Sequence, residues 1–161
     1  MIEIIDNIIE DHIAQLIDSE IRNTEWRYDY HSLKDKPNKH WNKVICDHEY
    51  DQDFKGYDGI SMLWDQIKIK DYKLRRCYLN AHTHGIEPHL HGDDGDYTMI
   101  YYPRLDWNTE KWGGGTRVGN EIADYKGNRL IIFPAKTLHQ AMPVTRECFE
   151  LRTCVVFKTE R

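Results

Sequence analysis

The second half of the chain consists of short apolar segments separated by turn sequences, and this pattern narrows the possible folds more than any other feature. Gly- and Asp-rich sequences such as HGDDGD, WGGGT and YKGN separate several of the segments. Many short strands at fairly even spacing predict a sandwich, a jelly roll or a barrel. We predict strands at about 72–82, 87–92, 97–103, 115–119, 129–133 and 149–158.

The chain before residue 71 has a helical and polar character instead. Apolar residues recur at helical spacing over residues 7–23. Asp6 or Asn7 stands in the N-cap position of this helix, and Glu10 completes a capping box with Asn7. A second short helix is predicted over residues 58–67. Because the helices precede the strands, we expect them to pack on the outside of a β-core.

The polar and aromatic stretch between the two helices is less regular. Trp26, Tyr28 and Tyr30 alternate as they would in a short strand. Residues 32–40 are rich in Lys, Asn, Asp and Pro, and this composition predicts an exposed loop. An alternative for the longer segment 32–53 is that it folds over a functional site as a lid.

Composition excludes several classes of protein. Five Trp, ten Tyr and four Phe supply large apolar surfaces and argue against disorder. No apolar run approaches the ~18–20 residues that span a bilayer. A formal charge of −5 argues against a general nucleic-acid-binding protein, unless the basic segment 68–76 forms a local patch. No boundary divides the 161 residues, which predict one domain with a helical and loop part at 1–70 and a β-core at 71–158.

The cysteines predict free thiols. The chain has four, Cys46, Cys77, Cys148 and Cys154, and no two of them form a CxxC pair. The N-terminal sequence MIEIIDNIIEDH has neither the basic segment nor the apolar core of a signal peptide. We therefore expect a protein of the reducing cytoplasm.

The sequence Pro88 to Asp94, PHLHGDD, contains candidate metal ligands. Residues i and i+2 of a strand face the same side, so His91 and Asp93 are expected to point into one cavity. His139 is the only histidine downstream of His91, and it follows an apolar strand that would hold it rigidly. Two imidazoles and one carboxylate form the facial triad of non-haem Fe(II) sites, which leaves coordination positions open for chemistry.

Other interpretations of this motif stay open at this point. An HxD tripeptide is common by chance, and an Asp-rich solvated loop would contain one. His89 also permits an HxH pattern, in which His89, His91 and His139 would form a three-histidine site of cupin type. That pattern usually brings a glutamate a few residues later, and only aspartates follow here.

Arg152 lies in an otherwise apolar strand and predicts an anion-binding site. On this strand it shares a face with Cys154 and Val156, so it would be a buried cation. A dicarboxylate bound through the guanidinium fork would supply the missing negative charge. The alternatives are that Arg152 is a surface residue of an edge strand, or that Arg146, in a turn-like segment, binds the anion instead.

Taken together and in order, these motifs resemble the 2-oxoglutarate/Fe(II)-dependent dioxygenases, and most closely the prolyl 4-hydroxylase-like branch with its small single-domain bacterial and viral members. The resemblance covers about residues 72–158. The thirteen residues from His139 to Arg152 are a longer spacing than many members have. The motifs that carry it are His91-x-Asp93, YTMIYY at 97–102, Asp106-Trp107, WGGGT at 112–116, LIIF at 130–133, His139, Pro143-Val144 and Arg152.

The resemblance implies a mostly β fold, the double-stranded β-helix or distorted jelly roll, with N-terminal helices. It implies that Fe(II) is the cofactor, that 2-oxoglutarate and O2 are cosubstrates, and that a C–H bond is hydroxylated with release of succinate and CO2. It favours a prolyl residue of a protein or peptide as prime substrate, although small molecules stay open. The rival classes are a cupin-type metalloenzyme that does not use 2-oxoglutarate and a non-catalytic jelly-roll binding module. The implied metal ligands are His91, Asp93 and His139, and the implied 2-oxoglutarate-binding residues are Arg152, Tyr102 and Tyr78.

Overall fold

Two antiparallel sheets form the centre of the protein in a computed structural model that describes residues 1–47 and 53–161. The strands are β1 Glu3–Asp6, β2 Arg27–Tyr30, β3 His40–Asp47, β4 Lys73–His82, β5 Tyr97–Tyr102, β6 Thr116–Val118, β7 Glu121–Ala123, β8 Arg129–Pro134, β9 His139–Ala141 and β10 Arg152–Glu160. The helices are α1 Asp11–Arg22, α2 Asp58–Ile67 and α3 Thr109–Trp112.

The larger sheet has seven strands in the order β1-β8-β5-β10-β4-β3-β2, and the smaller one has three in the order β7-β6-β9. All of these strand pairs are antiparallel. Buried side chains of both sheets form one of the two apolar clusters, so the sheets face each other across a shared core. The architecture confirms the predicted β-core with helices before it.

The second apolar cluster lies between the large sheet and the two N-terminal helices. Val155 and Phe157 of β10 belong to this cluster, together with residues of α1 and α2. Cys154 and Val156 belong to the cluster between the sheets. Successive residues of a strand point to opposite faces, and here one face meets helices while the other meets the small sheet. The predicted alternation of β10 is therefore correct.

We expect the replacement Phe157→Ala to lower the free energy of unfolding by about 3–5 kcal/mol, because it removes a buried aromatic ring and leaves a cavity. Phe157 is fully buried, and its ring stacks on Trp64 of α2 at 5.7 Å between centroids. Urea denaturation followed by circular dichroism measures the change. The control Ile122→Ala removes a side chain that is 56% exposed and should cost no more than about 0.5 kcal/mol. Equal losses in the two variants would contradict this description of the core.

The start of the chain differs from its prediction. The helix begins at Asp11 rather than near residue 7, and Glu10, its N-cap residue, makes no side-chain capping hydrogen bond. Residues 3–6 pair with β8 instead, and the chain turns at Asn7, which has a φ of +52°. Asp6 forms ion pairs with Lys126 and Arg129 rather than capping the helix. The predicted capping box was wrong because this segment is an edge strand.

Two further segments depart from the sequence pattern. The predicted strand 87–92 does not form, and in it only His91 takes part in an isolated bridge. β3 was not predicted because apolar and polar residues do not alternate in its sequence HWNKVICD, yet it pairs along most of its length with β4. Part of the segment considered as a lid is therefore a strand of the sheet. The rest of that segment includes residues 48–52, which lie outside the described residues.

Candidate active site

Three of the predicted residues converge at one end of the space between the sheets. One side-chain ligand atom from each of His91, Asp93 and His139 lies within 4.8 Å of the other two. Nε2 of His139 is 3.3 Å from Oδ2 of Asp93, and Nε2 of His91 is 3.9 Å from Oδ1. Asp93 and His139 are buried, and His91 is partly exposed. Two nitrogens and one carboxylate around a common point are a donor set that suits Fe(II).

The backbone brings these residues together in a way that strand alternation does not explain. His91 and His139 exchange two backbone hydrogen bonds, with N to O distances of 3.0 and 2.8 Å. The Asp93 N–H donates to the carbonyl of Ala135 at 2.8 Å. The HxD segment therefore lies along the chain that leads from β8 into β9. The predicted convergence is correct, but the assumption that 87–92 is a regular strand is wrong.

Backbone carbonyls orient both imidazole rings. Nδ1 of His91 is 2.7 Å from the carbonyl of His89, and Nδ1 of His139 is 2.8 Å from the carbonyl of Thr137. Because a carbonyl only accepts, each Nδ1 carries a proton, which leaves Nε2 as the ring atom that a metal would bind. Burial lowers the pKa of His91, which favours the neutral ring that a metal requires. His89 supplies its carbonyl to this arrangement, and the group of candidate ligands does not include its ring.

The carboxylate of Asp93 is held from two sides. The Thr98 hydroxyl donates to Oδ2 at 2.8 Å, and Nζ of Lys158 lies 2.9 Å from Oδ1. Burial by itself raises the pKa of Asp93, but the hydrogen bond with His139 and the charge of Lys158 outweigh burial and hold this pKa below its usual value. Asp93 is therefore an anion. The sequence analysis missed Lys158 because a lysine near a chain end usually belongs to a solvated surface.

Arg152 lies deep in the same cavity and is 1% exposed. Its Nε donates to the carbonyl of Gly114 at 2.6 Å, and one terminal nitrogen lies 3.3 Å from both the carbonyl of Gly115 and the hydroxyl of Thr116. Among the described residues, no carboxylate forms an ion pair with it. The guanidinium is thus oriented by neutral acceptors and keeps its full charge towards the cavity. Arg146, the alternative considered above, is exposed.

The triple glycine of the WGGGT motif makes this support possible. Gly114 has a φ of +78°, and a Cβ there would lie 3.2 Å from both Trp107 and Val144 and 3.4 Å from Arg152. The prediction that the glycines allow a tight turn into β6 is supported by these backbone angles. Their second role, to bring two carbonyls onto a buried arginine, was not apparent from the sequence.

The two tyrosines named in the sequence analysis occupy different places. Tyr78 lines the cavity. Tyr102 is fully buried behind it, and its hydroxyl donates to Thr116 at 2.6 Å. Burial raises the pKa of Tyr102 to about 12, so its phenol stays protonated and acts as a donor. Tyr102 is thus linked to the cavity through Thr116, which lines the cavity and also contacts Arg152.

The cavity also contains a polar wall that the sequence analysis missed. His40 and His82 both line it, although they are far apart in the sequence. Burial lowers the pKa of His40 to about 4 and lowers the pKa of His82 well below its usual value, so both rings are neutral. Nε2 of His40 is buried and has no hydrogen-bond partner. An unsatisfied buried nitrogen, an arginine that lacks an anion and three converging metal ligands together fit a polar, anionic guest beside a metal ion.

A comparison with protein-family models decides the class of the protein. The model described as the 2OG-Fe(II) oxygenase superfamily matches residues 67–157, more than half of the chain. The chain belongs to this superfamily. It is therefore a dioxygenase that uses Fe(II), 2-oxoglutarate and O2. No curated protein sequence matches this oxygenase.

Solved structures share the fold of the oxygenase at low sequence identity. A prolyl hydroxylase from Trichoplax adhaerens, in complex with a hypoxia inducible factor peptide fragment, has a TM-score of 0.69 at 13% identity, covering 99% of this chain and 83% of its own. A Pseudomonas putida prolyl-4-hydroxylase has the same score and identity, with coverage of 99% and 92%. The viral collagen prolyl hydroxylase of Paramecium Bursaria Chlorella virus-1, in a 2OG complex, has a TM-score of 0.61 at 18% identity, with coverage of 98% and 94%. These similarities confirm the predicted double-stranded β-helix.

Within the described part of the oxygenase, no helix is both long and apolar enough to cross a membrane. All four cysteines are buried, and none of them forms a disulfide in the structure.

We expect Gly114→Ala to weaken 2-oxoglutarate binding by this oxygenase. The added methyl group would crowd Trp107 and Val144, and the positive φ is unfavourable for alanine, with a cost of about 1–3 kcal/mol. Gly85→Ala is the matched control, because Gly85 has a φ of +91° but no atom lies within 4 Å of the added Cβ. Thermal unfolding and calorimetric titration with 2-oxoglutarate measure both effects. If the two variants bound 2-oxoglutarate with equal affinity, the support of Arg152 by this turn would be disproved.

Proposed function

We propose that this oxygenase hydroxylates a C–H bond of a prolyl residue in a peptide or protein, with Fe(II) held by His91, Asp93 and His139. The observation that carries the metal assignment is the orientation of both imidazole Nε2 atoms and the Asp93 carboxylate towards one point. Three ligands on one side of a metal leave its other coordination positions for cosubstrate and O2. When bound, iron and 2-oxoglutarate together supply the activated oxygen that oxidises the C–H bond, with release of succinate and CO2.

Arg152 is proposed to bind the distal carboxylate of 2-oxoglutarate. A guanidinium fixed by carbonyls of Gly114 and Gly115 presents its remaining N–H groups to the cavity, and a carboxylate matches their planar geometry. Tyr78, which lines the cavity, is proposed to contact the same cosubstrate. Tyr102 donates a hydrogen bond to Thr116, and these two hydroxyl groups are proposed to help bind the same carboxylate. These residues orient the cosubstrate relative to the metal, and this orientation is the contribution of the protein to catalysis.

The solved structures support a peptide or protein as prime substrate. The Trichoplax adhaerens enzyme is a prolyl hydroxylase in complex with a peptide fragment, and the viral one is a collagen prolyl hydroxylase. The three structures named above are all prolyl hydroxylases, and each spans nearly the whole of this chain. The prolyl assignment is drawn from this likeness of fold.

The proposal is tested by incubating the protein with Fe(II), 2-oxoglutarate and a library of proline-containing peptides. We expect succinate production that a peptide stimulates, and the same peptide should gain one oxygen atom on proline by mass spectrometry. The variant Asp93→Ala is the negative control, since it lacks a proposed metal ligand. Stimulation by another substrate class, with no peptide of the library oxidised, would refute the prolyl assignment and leave the metal site intact.

A cupin-type enzyme without 2-oxoglutarate is the second candidate from the sequence. Anaerobic titration of the metal-free protein with Fe(II) and then 2-oxoglutarate separates the two. The proposal expects the weak visible charge-transfer band of a 2-oxoglutarate chelate. The absence of this band in protein that has bound Fe(II) would count against the proposal.

A further inference from the structure

A second polar cavity, whose wall does not include Arg152, lies beside the proposed metal ligands. It has a volume of about 230 Å³, and its wall includes Arg76, Lys158 and Asn80 as well as His91 and Asp93. Because it shares these last two residues with the cosubstrate cavity, a molecule bound there would lie next to the metal. It is therefore the place where a group of the prime substrate would lie.

The strand register places two cations side by side in this wall. Lys158 of β10 stands opposite Arg76 of β4 in the pairing of the two strands. Both cations lie over the same aromatic ring, with Nζ of Lys158 and Cζ of Arg76 each 5.7 Å from the centroid of Tyr78. Lys158 is only 5% exposed, and Nε of Arg76 is buried without a hydrogen-bond partner. Lys158 is a buried cation that requires anions nearby, and Arg76, whose side chain is 30% exposed, adds a second positive charge beside it.

The carboxylates of the protein that lie near these two cations also have other partners. Asp94 lies 3.1 Å from Nζ of Lys158, 3.4 Å from Arg76 and 3.0 Å from Arg75. The second anion near Lys158 is Asp93, at 2.9 Å. Once Asp93 ligates a divalent metal, its charge is neutralised by that metal. Lys158 and Arg76 then depend on Asp94, whose side chain is 43% exposed and which Arg75 also contacts.

We propose that this cavity binds a carboxylate of the prime substrate through Lys158 and Arg76. The inference rests on the proposed function and narrows it. For a prolyl substrate, the carboxylate would be that of a C-terminal proline. Lys158 provides a point charge at the metal side of the cavity, and Arg76 provides a guanidinium in the same wall.

The test uses protein loaded with Zn(II) and 2-oxoglutarate. Because Zn(II) replaces Fe(II), a substrate can bind to this protein without being oxidised. Calorimetric titration compares N-acetyl-L-proline with N-acetyl-L-prolinamide, a pair that differs by the carboxylate alone. We expect the acid to bind about 10- to 100-fold more tightly, as charge-assisted hydrogen bonds to a buried cation would give. Inorganic phosphate serves as a third probe, because it reports an anion site whatever the remainder of the substrate is.

Three variants locate the effect. Arg76→Gln should abolish most of the preference for the acid, whereas Arg117→Gln, which removes an exposed arginine of β6, should retain it. Asp94→Asn should strengthen binding of the acid, because it removes the competing anion of the protein. These two opposite changes would not follow from a merely structural role of Arg76 and Asp94.

The outcomes separate this inference from the proposed function. If Zn(II) or 2-oxoglutarate fails to bind, the proposed function is wrong. If both bind and the acid and the amide have equal affinity in the wild-type protein, the carboxylate site is disproved alone. If phosphate binds in a way that depends on Arg76 while neither proline derivative binds, the anion site is supported and the prolyl assignment is overturned.

Discussion

Replacement of Arg152 by alanine is expected to weaken 2-oxoglutarate binding by roughly 30- to 1000-fold, the equivalent of about 2–4 kcal/mol. The reason is geometric as well as electrostatic. The guanidinium is buried, is oriented by two glycine carbonyls and lacks a carboxylate partner among the described residues. Its loss removes a fixed charge for which water deep in the cavity is a poor substitute. Anaerobic calorimetry gives the Kd, and succinate formation gives the KM for 2-oxoglutarate.

Two further variants sharpen this test. Arg152→Lys should recover little affinity, because an ammonium group cannot reproduce the planar pair of donors. Arg146→Ala is the matched control, since Arg146 is an exposed arginine from the same part of the chain. If Arg146→Ala alone weakened binding, the assignment of Arg152 would be wrong. If neither variant weakened it, these arginines would have no role in binding the cosubstrate.

Removal of a proposed metal ligand should have the second large effect. We expect Asp93→Ala and His139→Ala each to lower the affinity for Fe(II) by more than about 100-fold, since loss of an outer contact to a ligand already costs 10- to 100-fold. Both side chains are buried, and their ligand atoms lie 3.3 Å apart. Binding of Co(II), followed by its visible absorption, measures the metal site without any need for turnover. Circular dichroism checks that each variant keeps its fold.

His89→Ala is the control that distinguishes the facial triad from a three-histidine site. The contribution of His89 is its backbone carbonyl, which alanine retains, so this variant should bind Co(II) with unchanged affinity. An inactive, metal-free His89→Ala protein beside an active Asp93→Ala protein would establish the three-histidine site instead.

The alternation of apolar residues predicted the parts of the fold in which a strand is buried on both faces. β10 is such a strand, and its alternation correctly placed Arg152 on the face with Cys154 and Val156. The same reasoning failed for β3. The apolar and polar residues of β3 do not alternate, and its pairing with β4 rather than its pattern makes it a strand. No local pattern records such a pairing.

The candidate site shows the same division. The three metal ligands were predictable because a short motif and one distal histidine carry them. Lys158, His40 and His82 were not, because none of them belongs to a recognisable motif and each meets the site only through the strand order of the large sheet. Arg152 was predicted as a buried cation, but its acceptors were not. Two of these acceptors are the peptide carbonyls of Gly114 and Gly115, and no side-chain pattern in a sequence reveals which backbone carbonyl meets a given residue.

These carbonyls have a consequence for how such an enzyme can evolve. Substitutions of the side chains around the cavity can change which prime substrate binds beside the metal. The carbonyls of Gly114 and Gly115 that contact Arg152 are main-chain atoms, so they persist through side-chain substitutions as long as the glycine turn itself is kept. The affinity for 2-oxoglutarate can therefore stay constant while the specificity for the prime substrate changes. Enzymes that share this glycine turn could acquire new prime substrates and still use 2-oxoglutarate as cosubstrate.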